Sequence, residues 1–96
     1  LNKIRSVAEL IAQEILKYHR QFNGENFSNA IRLIQQKRLL SARSVGYLHT
    51  IRVIGNLASH PSGNKLSESD VFIASFALAS VVEEVMKKYK EICAQQ

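Results

Sequence analysis

The sequence predicts an all-α protein, an up-and-down four-helix bundle. Apolar residues recur at three- and four-residue spacing over four segments, and short turn-forming stretches separate those segments. No segment shows the sustained two-residue alternation of a strand. At 46% hydrophobic and 22% charged residues, the composition is globular rather than disordered. A chain of 96 residues supports a single modest core, so residues 1–96 read as one domain and a two-domain enzyme with an interdomain cleft is excluded. The chain opens with Leu1 rather than Met. It is therefore expected to be a piece of a longer protein, whose other domains would be its first partners.

The first helix is expected over residues 2–20, where Ile4, Val7, Ala8, Ile11, Ile15 and Tyr18 form one face. Residues 21–26 carry turn chemistry, with Asn23-Gly24 tolerating positive φ. A shorter helix follows from about Ser28 to Leu39 or Leu40, with Phe27, Ile31 and Ile34 turned inward. Ser41 can cap the third helix, whose buried stripe is Val45, Leu48, Ile51, Ile54 (or Gly55) and Ala58. Pro61 ends it, because proline disfavours α conformation in the residue before it. Ser67 with Asp70 has the spacing of a capping box and starts the fourth helix, expected to run to about Cys93. Its face is Val71, Ala74, Leu78, Val81, Val82, Val85, Met86 and Tyr89, while Phe72, Ile73 and Phe76 lie off that stripe. That surplus of apolar surface predicts a homodimer.

Charge narrows the partners. The chain has 13 Lys and Arg against 8 Asp and Glu, a formal charge of +5. Between Glu25 and Glu68 there is no acidic residue, and that interval holds Arg32, Lys37, Arg38, Arg43, Arg52 and Lys65 with His49 and His60. Such a segment suits a polyanion, and Arg32, Lys37, Arg38 and Arg43 are the residues expected to meet nucleic acid. A solvated basic face with no ligand accounts for the same charges. The single cysteine excludes a disulfide within the chain and any cysteine-based metal cluster, and suits the reducing cytoplasm. No apolar run approaches the roughly 20 residues of a membrane span, so no membrane partner is expected.

The segment from His49 to Pro61 carries the candidate chemistry. At about 100° per residue, His49, Arg52, Asn56 and His60 fall on one stripe of the third helix. An imidazole there can take the 2′-hydroxyl proton of RNA or protonate the leaving oxygen. The Arg52 guanidinium can hold a phosphate and stabilise developing charge, and Asn56 can orient the imidazole or the phosphate. That chemistry requires no metal and no cofactor. A structural role fits these residues as well: His60 can cap the helix end, Arg52 can pair with Glu9, and Asn56 can bond to a neighbouring helix. Mid-helix Gly55 suggests close helix packing.

The residues Ile51-Arg52-Val53-Ile54-Gly55-Asn56-Leu57-Ala58-Ser59-His60, with Arg5-Ser6-Val7-Ala8-Glu9 upstream, resemble a bacterial domain of unknown function found in larger proteins, restriction-enzyme subunits among them. The resemblance covers nearly the whole chain. That domain is similar in turn to the HEPN superfamily, helical bundles that often dimerise, many of them metal-independent endoribonucleases with a composite site at the dimer interface. The resemblance implies a HEPN-like bundle and an RNA- or nucleotide-directed defence module, with Arg52, Asn56 and His60 as catalytic residues. Arg5, Glu9 and His49 would support them. One position departs from the ribonuclease pattern: Gly55 stands where those members often carry the arginine, and seven residues separate Arg52 from His60. The alternative is a non-catalytic dimerisation or accessory module whose polar stripe holds helices or subunits together.

Overall fold

The computed structural model describes residues 2–59 and 66–90, which form the helices α1 (Asn2–Tyr18), α2 (Phe27–Gln36), α3 (Ala42–Ser59) and α4 (Glu68–Lys88). Three starts are capped by side chains. Asn26 accepts from the Asn29 amide at 2.9 Å to begin α2. The Ser41 hydroxyl accepts from the Ser44 amide at 3.2 Å to begin α3. For α4 the capping box is complete: the Asp70 amide donates to the Ser67 hydroxyl, and the Ser67 amide donates back to the Asp70 carboxylate.

The first two helices end earlier than the apolar spacing suggests. In α1 the Gln21 amide reaches the Leu16 carbonyl and the Arg20 amide reaches Lys17, with Arg20 at φ 58°. In α2 the Leu39 amide reaches Ile34 and the Arg38 amide reaches Gln35, with Arg38 at φ 54°. Both are Schellman closures with arginine where glycine is usual, so sequence gave no stop signal there. The fourth helix has Tyr89 as its C-cap after Lys88. Cys93 lies outside the described residues.

The core joins all four helices. Ala8, Ala12, Ile15 and Leu16 of α1 pack with Phe27, Ala30, Ile31 and Ile34 of α2, with Leu48 and Ile51 of α3, and with Ala77, Val81 and Val85 of α4. Five expected core positions are exposed instead, namely Val7, Tyr18, Ala58, Val71 and Met86. On α1 the small residues Ala8 and Ala12 take the contact line, which lets the neighbouring helices close in and turns Val7 outward.

The helices do not alternate strictly up and down, which corrects the expected topology. Arg5, at the start of α1, lies against Gly55, near the end of α3, so these two helices run antiparallel. The His19 ring, just past the end of α1, meets Tyr89 at the end of α4, so α1 and α4 run the same way. The reason lies in the connection between Tyr18 and Phe27. Eight extended residues reach about 26 Å, more than the roughly 20 Å rise from Arg5 to Tyr18. That segment carries the chain back along α1 instead of turning it around, and the Arg5 guanidinium carbon lies 5.9 Å from the Phe27 ring centre.

Candidate functional site

The cap at Ser41 fixes the phase of α3. Ser44, Val45, Leu48, Ile51, Ile54 and Gly55 are buried, which leaves His49 and Arg52 half-buried at one border of that face and Asn56 exposed. Of the expected stripe, His49, Arg52 and Asn56 thus lie along an edge of α3. His60 lies outside the described residues, and so do Lys65 and Pro61. Ala58, expected in the core, is exposed.

Arg5 reaches this edge from α1. A Cβ built on Gly55 would sit 2.6 Å from the Arg5 Cδ and 3.4 Å from its Nε, so the missing side chain of Gly55 is the space the arginine stem occupies. Arg52 is three residues earlier on α3, one turn away. Two guanidinium-bearing side chains thus meet the same two turns of helix. The Nε atoms of both, Arg5 and Arg52, are buried without a hydrogen-bond partner among the described residues. Such a donor costs about 1–3 kcal/mol when left unmatched.

No carboxylate answers them among the described residues. Glu9 is half-buried one turn beyond Arg5, yet no hydrogen bond or ion pair joins it to Arg5 or Arg52. The described ion pairs lie elsewhere, Lys17 with Glu14 at 3.3 Å and Lys87 with Glu83 at 3.2 Å. Burial, and then the positive charge of Arg52, pushes the His49 pKa below its ordinary value of 6.5. At pH 7 that imidazole is neutral and can accept a proton.

The remaining cations stand apart from this edge. Arg32, Lys37, Arg38 and Arg43 are all exposed. Arg43 is in the first turn of α3, nine residues or about 14 Å along the helix axis from Arg52. Arg38 closes α2 just before it. Among the described residues, Arg38 and Arg43 thus flank the start of α3, while Arg52 lies along its later turns.

Two polar clusters escaped the sequence reading. Glu84 of α4 reaches the start of α3, where it accepts from the Ser41 amide at 2.8 Å, the Ser41 hydroxyl at 2.5 Å and the Ser44 hydroxyl at 2.6 Å. Its neighbour Glu83 pairs instead with Lys87 one turn along α4. At the same end, the buried Tyr89 hydroxyl donates to the Leu39 carbonyl at 2.7 Å. It has one proton, so the contact at 2.9 Å with His19 Nε2 is a bond donated by the imidazole. His19 thus anchors α1 to α4. A serine hydroxyl and a glutamate 40 residues apart leave no local sequence signal.

Among the described residues no group of three His, Cys, Asp or Glu side chains is placed to hold a metal ion, and no helix is long and apolar enough to cross a membrane. Neither a curated protein nor a solved structure matches the chain. A family model, that of a domain of unknown function (DUF4145), matches residues 1–94. With the match running from the Arg5 helix through the α3 edge to the end of α4, the chain belongs to the DUF4145 family.

Proposed function

We propose that this chain is an RNA- or nucleotide-directed module of HEPN-like kind that binds phosphate along the later turns of α3 and cleaves RNA there without a metal ion. The observation that carries the reading is the Arg52 Nε–H, buried and unmatched among the described residues, on the edge that also bears His49 and Asn56. A guanidinium donor without a carboxylate suits a phosphate oxygen, which accepts charge-assisted hydrogen bonds. In the reaction the 2′-hydroxyl oxygen attacks phosphorus as an imidazole takes its proton. The 5′-oxygen leaves with a proton from a second acid, giving a 2′,3′-cyclic phosphate and a free 5′-hydroxyl. His60 and His49 are the two imidazoles this scheme uses, Arg52 stabilises the charge on phosphorus-bound oxygen, and Asn56 orients the phosphate.

The test is incubation of the chain with single-stranded RNA in the presence and absence of a chelator. Cleavage is expected to be insensitive to the chelator and lost in His60→Ala and Arg52→Ala variants that melt like the wild type. A chain that neither cleaves nor binds RNA across buffers overturns the reading.

A second reading rests on α4, where Phe72 is 73% and Phe76 57% exposed, with Ile73 beside them. A non-catalytic dimerisation module would use this surface. It predicts a concentration-dependent dimer in sedimentation that Phe72→Glu with Phe76→Glu dissociates, and no RNA cleavage by the wild type.

A further inference from the structure

We propose that Arg5 is a phosphate-binding residue, and that Arg5 of α1, its stem seated in the space that Gly55 leaves, clamps one phosphate group together with Arg52 of α3. This rests on the reading above that the edge of α3 faces phosphate, and it adds a second cation from another helix.

Three observations converge on Arg5. Its stem lies where a Gly55 side chain would be, so α3 is shaped to admit it. Its guanidinium carbon lies 5.9 Å from the Phe27 ring centre, an aromatic flank that holds a guanidinium plane. Its Nε is buried and unmatched among the described residues, as is that of Arg52. A structural arginine in such a place is usually neutralised by a carboxylate. Glu9, the acidic residue one turn away on α1, makes no bond to it.

Two like charges brought to the same turns of one helix, each with an unmatched donor, repel one another unless an anion lies between them. The anion must offer several acceptor oxygens to face two guanidinium groups arriving from different helices. A phosphate group does so with oxygens set tetrahedrally about phosphorus, so guanidinium groups approaching from different directions can each meet one; the two oxygens of a carboxylate lie in a single plane. A nucleic-acid phosphodiester and the phosphate of a free nucleotide share this chemistry.

The probe is inorganic phosphate, followed at the arginine side-chain Nε–H resonances of the chain, which Arg5→Gln and Arg52→Gln assign by the loss of one signal each. Both resonances are expected to move with one dissociation constant. Arg5→Gln should weaken phosphate binding about tenfold, the loss of one charge-assisted hydrogen-bonding group, while Lys87→Gln on the exposed side of α4 leaves it unchanged. Gly55→Ala should weaken it comparably by displacing the arginine stem, and Arg5→Gln keeps the inference testable if that variant does not fold. Uridine 3′-monophosphate and a single-stranded RNA about ten nucleotides long, used as further probes, separate a nucleotide from a chain ligand.

If Arg52 responds and Arg5 does not, with Arg5→Gln binding within about twofold of wild type, Arg5 is a packing residue and only the clamp falls. If both respond to phosphate but RNA is neither bound nor cleaved, the clamp stands and the RNA reading falls. If neither responds, the clamp is overturned.

Discussion

His49 shows how one position ties the candidate chemistry to stability. Burial and the neighbouring Arg52 charge hold its pKa below 6.5, so the folded state keeps the imidazole neutral. The unfolded chain takes up that proton first as pH falls. The stabilising contribution is therefore complete above about pH 6.5 and declines as the pH drops from there toward the lowered folded pKa. We expect wild-type stability, measured by urea unfolding, to fall between about pH 7 and pH 5.5 by more than that of His49→Gln, which lacks the titration. Equal slopes for the two proteins would mean that Arg52 and burial exert no net effect on the ring. Binding of phosphate beside Arg52 should oppose the shift, so saturating phosphate is expected to narrow the difference.

At the scale of elements, helix ends decide most of what the sequence concealed. The apolar spacing of α2 and α3 and the Ser67–Asp70 capping box place those helices well, because periodicity and local caps are written in neighbouring residues. The ends of α1 and α2 were not legible, since Arg20 and Arg38 occupy left-handed positions where a glycine would have announced the stop. Arg20→Gly should relieve that conformation and raise stability by about 0.5–1 kcal/mol, the backbone penalty less the extra freedom of the unfolded glycine. Thermal unfolding would register a gain of a few degrees, and a loss would mean that the Arg20 side chain contributes more than its backbone costs.

The start of α3 carries a complementary prediction. Burial raises the Glu84 pKa, but the Ser41 and Ser44 hydroxyls, the Ser41 amide and the Lys88 charge outweigh it, and the carboxyl sits below its ordinary 4.5. Its contribution is present above about pH 4.5 and is lost as pH falls through the depressed value. Glu84→Gln is expected to cost about 1–2 kcal/mol at pH 7, from weakened capping of α3 and the lost charge at its N-terminus. The two proteins should converge in strongly acid solution. A constant difference at all pH values would assign the effect to packing.

For the whole molecule, spacing alone made the candidate site legible only as a stripe, and Arg5 entered it through the resemblance. Positions 49, 52 and 56 share an edge because helical phase follows from spacing, but the arrival of Arg5 depends on α1 and α3 running antiparallel, which the chain-returning segment after Tyr18 decides. That same topology sets the Arg38 and Arg43 group about 14 Å along the α3 axis from the Arg5 and Arg52 group, and the nine-residue step from Arg43 to Arg52 puts those two on opposite sides of the helix. A single phosphate can meet only one group, whereas a strand of RNA can span both. Arg38→Gln with Arg43→Gln is accordingly expected to leave inorganic phosphate affinity unchanged and to weaken binding of a single-stranded RNA about ten nucleotides long. Each contact removed should flatten the plot of log affinity against log salt by about 0.7, so the double variant loses about 1.4 from the slope. Fluorescence anisotropy at several salt concentrations reads both quantities. If the double variant binds RNA with the wild-type slope, the Arg38 and Arg43 group is a solvated face, and any strand held by the chain is held at the Arg5–Arg52 end alone.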